Sequence, residues 1–310
     1  MKICIFGGSG SFGTAMTRKL LQETDYEIII YSRNEKMQFE HKQKFNNSRI
    51  KYIIGDIRDY NAVKRALNGV DYVILASAMK HIDKCETNPE ECKKTNIDGC
   101  INVINASIEN KVKKVIFLST DKATNPTTIY GCSKLFIEMY CKSVNNKDTS
   151  IIRTRYGNVF GSNGSVAWIF NKLAKEGKKL TITNPNMTRF FMSLDEAIDL
   201  VYKALNYGEH GDLWVYNNKS CTIKELADLF SSNQEIMGYR CEEKTDEALL
   251  TVNELNHSEF IDGKYYRVNN KLLNDYGYIK PLQSDNAERL TEEELQQLLD
   301  NWREYEDICC

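Results

Sequence analysis

The fold is decided by the stretch Lys2-Ile-Cys-Ile-Phe-Gly-Gly-Ser-Gly-Ser-Phe-Gly13, close to the start of the chain. Its first five residues predict a strand, and glycines at 7, 10 and 13 predict a tight turn that leads into a helix. This order brings backbone N–H groups and a helix N-terminus to a pyrophosphate, although the spacing is GxxGxxG and not the usual GxGxxG. We therefore predict a dinucleotide site that includes Gly7, Gly10, Ser11, Phe12 and Gly13.

Short apolar runs alternate with helical patterns as far as about residue 120. The runs are Lys2–Phe6, Glu27–Tyr31, Ile50–Ile54, Tyr72–Ala76 and Val115–Leu118. Between them, apolar residues recur at helical spacing in Thr14–Glu23, Ala62–Leu67 and Asn96–Asn110. Such alternation is typical of βαβ units, which right-handed crossovers assemble into a doubly wound parallel sheet.

The alternation fades beyond residue 160, where longer helical patterns dominate. They cover Ser165–Gly177, Asp195–Tyr207, Thr222–Phe230 and Thr291–Arg303. We predict an α/β protein with a Rossmann-type doubly wound parallel sheet and a smaller, mostly helical C-terminal substrate lobe. The NADP-binding domain would span residues 1–160 and the lobe residues 161–310, from which a segment could return to the Rossmann sheet.

Composition excludes several classes of function. The formal net charge is −2 over 310 residues, which does not favour nucleic acid or an anionic membrane as a partner. The apolar runs are shorter than the roughly 20 residues of a membrane-spanning helix. Ten cysteines without a CxxC pair indicate reduced thiols in a cytoplasmic protein. Cys85, Cys92 and His81 lack the tight pairs of a structural zinc site, so we predict no metal site.

The end of the second strand bears on the choice of cofactor. An acidic residue there is usual for NAD, whereas this chain has Tyr31-Ser32-Arg33-Asn34. Ser32 and Arg33 suit a 2′-phosphate and favour NADP, with a solvated turn as the alternative role for Arg33. After the third strand, Asp56 and Ile57 could hold the adenine ring, and a plain polar turn is the alternative. Ala76, at the end of the fourth run, is assigned to the same cofactor site.

A second group of polar residues carries the chemistry. Tyr130 and Lys134 are four residues apart and share one helix face. The nearby cation favours a phenolate, so Tyr130 can act as a base while Lys134 also reaches the cofactor ribose. Thr120, Asp121 and Lys122 follow the strand that ends at Leu118, at the sheet edge where ligands bind. Alcohol oxidation does not need this additional acid and amine, which therefore imply a further reaction.

Several segments resemble the inverting UDP-N-acetylglucosamine 4,6-dehydratases, which are extended short-chain dehydrogenases/reductases of polysaccharide and flagellin-sugar biosynthesis. The segments are IFGGSGSFG, IIIYSRNE, GDIRD, KHIDKCETNPEECKKTNIDG, STDKATNPTTIYGCSK, RYGNVFGSNGSV and MTRFFMSLDEA. The Asp121-Lys122 pair is specific, since most other sugar-nucleotide dehydratases have Asp-Glu there. EKTDEALLTVNE, DGKYYRVNN and DNAERLTEEE are more similar to the capsule-type branch, in which methionine often replaces the tyrosine kept here as Tyr130.

The resemblance implies the role of each residue. Tyr130 takes the 4-hydroxyl proton while NADP accepts the C4 hydride, and Lys122 removes the C5 proton as a neutral amine. Asp121 helps the 6-hydroxyl to leave, and Thr120 hydrogen-bonds the sugar. The product would be a 4-keto-6-deoxy sugar, with C5 inverted if the proton returns to the opposite face. Similar enzymes form dimers or hexamers, so a homo-oligomer is expected.

The same resemblance implies a binding site for the UDP-sugar substrate. Its residues are Lys80, Asn158, Ser165, Val166, Thr181, Arg189, Arg240 and Glu243. The chain departs from the family pattern at Phe6 for threonine, Asn163 for arginine and Trp168 for proline. Residues 240–247 also lack the Pro-Gly and His of the usual RPGEKLHE pattern. The substrate could therefore be UDP-glucose in place of the N-acetyl sugar.

Two other functions are compatible with the same fold. A sugar-nucleotide 4-epimerase or reductase would use the cofactor, Tyr130 and Lys134, but it has no need of Asp121 and Lys122. A non-catalytic NADP-binding regulator would keep only the fold. Such regulators typically lose the tyrosine or the lysine, and this chain has both.

Overall fold

The computed structural model describes residues 1–239, 243–274 and 279–309. The chain forms two compact units that interleave along the sequence. Unit 1 consists of Met1–Ser119, Thr128–Thr154 and Ile198–Trp214. Unit 2 consists of Thr120–Thr127, Arg155–Ala197 and Val215–Cys310. These units are not the two consecutive domains predicted from the sequence, and the domain boundary at residue 160 stays a prediction.

Strands and helices are numbered along the whole chain. The strands are β1 (Lys2–Phe6), β2 (Glu27–Ser32), β3 (Ile50–Ile54), β4 (Tyr72–Leu75), β5 (Lys114–Leu118), β6 (Ser150–Arg155), β7 (Asn158–Val159), β8 (Leu180–Ile182), β9 (Thr188–Met192), β10 (Leu213–Tyr216), β11 (Lys219–Thr222), β12 (Gln234–Ile236), β13 (Ala248–Leu250), β14 (Ser258–Ile261), β15 (Tyr265–Val268) and β16 (Leu282–Gln283). The α-helices are α1 (Ser11–Glu23), α2 (Glu35–Phe45), α3 (Tyr60–Ala66), α4 (Ile82–Thr87), α5 (Pro89–Cys92), α6 (Gly99–Glu109), α7 (Ile129–Ser143), α8 (Val166–Lys175), α9 (Leu194–Tyr207), α10 (Ile223–Asp228), α11 (Val252–Asn256) and α12 (Glu292–Cys309).

Unit 1 contains the doubly wound sheet. Its strand order is β6-β5-β4-β1-β2-β3, and every neighbouring pair is parallel. β1 is central, so Cys4 pairs with Ile29 on one side and Val73 on the other. Strands buried on both faces need apolar residues throughout, which explains the nearly continuous apolar runs. β3 is less buried because it forms the edge of the sheet. The α/β Rossmann-type fold is thus confirmed.

The core of unit 1 lies between the sheet and its helices. Val63 of α3 and Val103 of α6 are fully buried against Val73 and Val115 of the sheet. Ile198–Trp214 also belongs to this unit, where the Arg153 N–H donates to the Asp212 carbonyl at 2.9 Å. A segment from beyond residue 160 therefore returns to the Rossmann unit.

Unit 2 is a mixed lobe with several small sheets. They are the three-stranded β11-β9-β7 and the pairs β8-β12 and β13-β16. In addition, β14 pairs with β15 in antiparallel orientation. The lobe contains more strand than the helical patterns predict, because strands of two to five residues show little alternation. Phe170 of α8 and Leu299 of α12 are buried in its core. In the described ranges, no helix is both long and apolar enough to cross a membrane.

The C-terminal helix α12 contributes directly to this core. Leu299 is 1% exposed, whereas Gln297 on the same helix is exposed. We expect Leu299→Ala to lower the free energy of unfolding by about 2–5 kcal/mol, because it leaves a cavity. Gln297→Ala should change it by less than about 0.5 kcal/mol. Urea titrations followed by circular dichroism measure both values, and equal effects would show that α12 is not packed as described.

Candidate functional site

In the glycine-rich turn of unit 1, a side chain would be strained at Gly7 and would collide with the backbone at Gly13. Gly7 has a φ of +82°, and a Cβ there would lie 3.0 Å from the Ser77 nitrogen. A Cβ on Gly13 would lie 2.4 Å from the Gly8 Cα, so the helix and the turn meet backbone to backbone. The Gly7 N–H donates to the Tyr31 carbonyl at 2.8 Å, which ties the turn to the end of β2.

The start of α1 suits a pyrophosphate. The helix begins at Ser11, and the preceding Gly10 gives it no side-chain cap. The N–H groups of Ser11, Phe12 and Gly13 belong to the first helical turn, which has no intrahelical acceptor and carries a partial positive charge. An NAD(P) diphosphate fits such a cradle of glycine backbone. Ala76 lies beside it, since its N–H donates to the Phe6 carbonyl at 3.0 Å and its carbonyl carbon lies close to Gly7.

The end of β2 presents Ser32 and Arg33 differently. The Ser32 hydroxyl accepts from Gln38 Nε2 at 3.0 Å and from the Ser9 hydroxyl at 2.9 Å, so its position is fixed. The Arg33 side chain is 56% exposed, and its Nη1 lies 3.6 Å from Asp56 Oδ2. Arg33 thus has one long ion pair and is open to a further anion. Gln38, which sequence analysis missed, also donates to the Ile53 carbonyl at 2.8 Å.

Asp56 and Ile57 are both engaged within unit 1. Burial of the Asp56 carboxylate would raise its pKa, but hydrogen bonds from Arg58 at 2.6 and 2.9 Å outweigh burial and lower it. Ile57 is 5% exposed and packs against Gly99 in the core. Its side chain therefore anchors the loop, and its contact with adenine stays a prediction.

Tyr130 and Lys134 project from the first turns of α7. Thr128 caps this helix by accepting from the Gly131 N–H at 3.1 Å. Tyr130 is buried beside Cys85 and Cys92. Lys134 Nζ donates to the Leu118 carbonyl at 2.8 Å, which joins α7 to the end of β5. Burial lowers the pKa of Lys134.

Asp121 and Lys122 lie in unit 2, in the 3₁₀ turn Asp121–Ala123. The Asp121 carboxylate is fully buried, and its Oδ1 is 2.9 Å from Lys122 Nζ. The Thr120 hydroxyl donates to the same oxygen at 3.0 Å. Lys122 also donates to Asn158 Oδ1 at 3.2 Å, and Glu247 Oε1 lies 3.9 Å from its amine. Thr120, Asp121, Lys122 and Asn158 are thus brought together.

Two carboxylates influence the charge of Lys122. Burial would lower its pKa, but the Asp121 and Glu247 carboxylates outweigh burial and raise it. Lys122 is therefore an ammonium in the free protein. Its role as a neutral amine that removes the C5 proton, which the resemblance implies, stays a prediction.

Arg189, on β9, is hydrogen-bonded to the backbone near residue 244. It is 8% exposed and donates to the carbonyls of Thr188, Lys244 and Thr245 at 2.7 to 2.9 Å. Its Nη2 is 3.6 Å from Glu243 Oε1. Arg189 thus shapes the loop that carries Glu243, and a direct contact of either residue with a diphosphate stays a prediction.

The remaining predicted substrate residues are spread over both units. Ser165 caps α8 by accepting from the Trp168 N–H at 3.4 Å, and Val166 is the first residue of that helix. Thr181 is exposed on β8, and Lys80 is exposed in the loop after β4 of unit 1. Arg240 lies outside the described residues. The binding roles of all five stay predictions.

Glu247 and Lys244 were missed by sequence analysis. Lys244 Nζ is 2.8 Å from Glu247 Oε2 and 3.0 Å from the Thr124 carbonyl. Both residues occur in a segment that supports the family resemblance, but no spacing relates them to residue 122. In the part of the chain that the structure describes, no group of His, Cys, Asp and Glu side chains could hold a metal ion.

The chain is similar to known proteins over most of its length. A family profile described as polysaccharide biosynthesis protein matches residues 3–270. The UDP-glucose 4-epimerase of Rickettsia massiliae (strain Mtu5) is 40% identical over 96% of this chain and 94% of its own. The structure of Pen from Bacillus thuringiensis has 34% identity and a TM-score of 0.89, covering 97% of this chain and 98% of Pen. The dTDP-glucose 4,6-dehydratase DesIV from Streptomyces venezuelae, solved with NAD and TYD, shares the fold at 19% identity and a TM-score of 0.72, covering 79% of this chain and 87% of DesIV.

Gly13 and Gly10 of the turn provide a matched pair of substitutions. We expect Gly13→Ala to lower the free energy of unfolding of the cofactor-free protein by about 2 kcal/mol, because its Cβ collides with the Gly8 backbone. Gly10→Ala should cost less than about 1 kcal/mol, since its Cβ would lie 3.5 Å from the nearest atom. Chemical denaturation measures both. If Gly13→Ala were as stable as the parent protein, the close helix–turn contact would be incorrect.

Proposed function

Because the chain belongs to the polysaccharide biosynthesis protein family, we propose that it is an NADP-dependent UDP-N-acetylglucosamine 4,6-dehydratase that inverts C5. At the coarser level it is a sugar-nucleotide-modifying enzyme of the NAD(P)-dependent epimerase and dehydratase type. The observation that supports a dehydratase is the buried ion pair of Asp121 and Lys122, which follows β5 directly.

The proposed roles begin with oxidation of the sugar. Gly7, Gly13 and the first turn of α1 would hold the cofactor diphosphate, with Ser32 and Arg33 at the 2′-phosphate. Bound NADP would supply the acceptor for the C4 hydride and return that hydride to C6. Tyr130, as the phenolate that the Lys134 cation stabilises, accepts the 4-hydroxyl proton and becomes a neutral phenol. The C4 carbonyl then makes the C5 proton acidic.

Elimination of water needs a base at C5 and an acid at O6. In the free protein both functions are latent, because Lys122 is an ammonium and Asp121 a carboxylate. Transfer of one proton along their 2.9 Å hydrogen bond would give a neutral amine and a carboxylic acid. The amine can then take the C5 proton while the acid protonates O6 as the C6–O6 bond breaks, which restores both charges and releases water. Return of the hydride to C6 would be matched by delivery of a proton to C5, which completes the 4-keto-6-deoxy product.

A 4-epimerase is the second candidate, since relatives near 40% identity carry the name UDP-glucose 4-epimerase. Epimerisation moves a hydride at C4 and leaves C5 and C6 untouched. It gives no use for a buried acid–amine pair, whose desolvation costs several kcal/mol per ion. The pair therefore favours dehydration. From resemblance alone we further propose a cytoplasmic homo-oligomer, either a dimer or a hexamer.

Turnover in deuterated water tests the reaction. With UDP-N-acetylglucosamine we expect NMR to show a 4-keto-6-deoxy product that carries deuterium at C5, in the L-arabino configuration if C5 inverts. Interconversion of UDP-glucose and UDP-galactose without loss of water would identify an epimerase instead. Dehydration of UDP-glucose alone would leave the mechanism intact and correct the substrate.

Lys122→Arg tests the proposed base. Arginine keeps the positive charge beside Asp121, but its pKa is too high for it to lose a proton. We expect kcat to fall by about 10²-fold or more while the affinity for NADPH, from fluorescence titration, stays within about twofold. Lys172→Arg, far along the chain on α8, is the control for the exchange itself. An unchanged kcat in Lys122→Arg would remove the base from the mechanism.

Arg33→Ala tests the choice of cofactor. Charge-assisted hydrogen bonds contribute about 1.5–3 kcal/mol, so we expect the Kd for NADPH to rise by about tenfold or more. The Kd for NADH should change by less than about twofold. Lys36→Ala removes a fully solvated cation nearby as the control, since that side chain is 84% exposed. Equal losses for both cofactors would argue against a 2′-phosphate contact.

A further inference from the structure

Glu247 lies immediately before β13, where hydrogen bonds hold its backbone in place. It is 5% exposed, and both sides of its backbone are fixed by Ser284. The Glu247 N–H donates to the Ser284 hydroxyl at 2.9 Å, and its carbonyl accepts from the Ser284 N–H at 2.8 Å. The carboxylate therefore has little freedom to move away from the groups that it faces.

That carboxylate lies between two lysines. Its Oε1 is 3.9 Å from Lys122 Nζ, and its Oε2 is 2.8 Å from Lys244 Nζ. Lys244 donates also to the Thr124 carbonyl at 3.0 Å, just after the 3₁₀ turn that carries Lys122. Glu247 thus contacts the turn directly at Lys122 and is linked through Lys244 to Thr124, the residue that follows the turn. Burial would raise its pKa, but Lys122, Lys244 and Arg189 outweigh burial and keep it ionised.

Five described groups determine the charge of Lys122. The carboxylates of Asp121 and Glu247 favour its ammonium form, and the Arg189 guanidinium opposes it. Asn158 accepts a hydrogen bond from the amine without carrying a charge. Lys244 neutralises part of the Glu247 charge through its shorter contact. Asp121 is itself proposed to exchange a proton with Lys122, so Glu247 is the carboxylate that keeps its charge throughout.

We propose that Glu247 is a positioning residue for the proposed dehydration: its buried carboxylate fixes Lys122 beside Asp121 and keeps on that pair the one proton that elimination passes between them. Without this proton the pair would be an amine and a carboxylate, which provides a base for C5 but no acid for O6. This inference rests on the proposed function for its chemical meaning, but the contact itself can be tested without any substrate.

Titration of Lys122 is the direct experiment. In protein labelled with ¹³C at lysine Cε, the NMR signal that disappears in Lys122→Arg reports the Lys122 amine. We expect this signal to titrate above the ordinary lysine pKa of about 10.4. In Glu247→Gln its midpoint should fall by about one pH unit or more, because an attractive charge 3.9 Å away is lost. The alkaline limit of turnover should therefore lie at lower pH in Glu247→Gln than in the parent protein, because the pair is active only while it retains its proton.

Two variants separate charge from shape. Glu247→Asp retains the carboxylate and should return the midpoint to within about half a unit of the parent protein. Asp246→Asn makes the same chemical change one residue away, where the carboxylate accepts from the Thr188 hydroxyl, and should leave the Lys122 signal unchanged. An unshifted midpoint in folded Glu247→Gln would overturn the proposal. If that variant does not fold, a parent-protein midpoint at or below that of free lysine would do so.

Failure of this proposal is distinct from failure of the proposed function. A protein without dehydratase activity could still show the shifted titration, which would establish the contact and leave its use open to another reaction. Conversely, dehydratase activity with an identical alkaline limit in the parent protein and Glu247→Gln would keep the function and remove the role of Glu247.

Discussion

Complete burial of the Asp121 carboxylate constrains the polar interior of unit 2. A buried charge without a partner costs several kcal/mol, so a cation must accompany it, and Lys122 supplies one from the next residue. That lysine is itself mostly buried, with 17% of its side chain exposed, and its further partners are Asn158 and Glu247. Glu247 is paired again with Lys244. Each charge is acceptable only because the next one is present, and the loop near residue 244 is fixed as a result.

The sheet of unit 1 imposes a different constraint. Its strands are parallel, so their carboxyl ends lie along one edge and the loops that follow them share that edge. The turn after β1 is compressed so strongly that Gly13 cannot carry a side chain. Lys134 binds the last carbonyl of β5 and so sets the start of α7 against the same edge. The positions of these loops in unit 1 are set by backbone packing, whereas the polar groups of unit 2 are positioned by ion pairs.

This difference explains what the sequence could predict. Strands β1 to β5 agree with the apolar runs to within about two residues, because burial on both faces requires continuous apolar sequence. Helix α2 was not predicted, because its sequence EKMQFEHKQKF is mostly polar and shows no apolar stripe. Its buried residues are Gln38 and His41. The Asp121-Lys122 pair could be recognised because its members are adjacent. Glu247 could not, because its distance from Lys122 is a property of the folded lobe.

The choice between dehydratase and epimerase follows from chemistry more than from overall similarity. Enzymes with both names share this fold, and Tyr130 with Lys134 would serve either reaction, so neither fold nor oxidation discriminates. An epimerase holds a 4-keto sugar that must survive until it is reduced again. A basic amine and an acid close to C5 and C6 would consume that ketone by eliminating water. A pair of this kind close to the sugar would therefore harm an epimerase and serve a dehydratase.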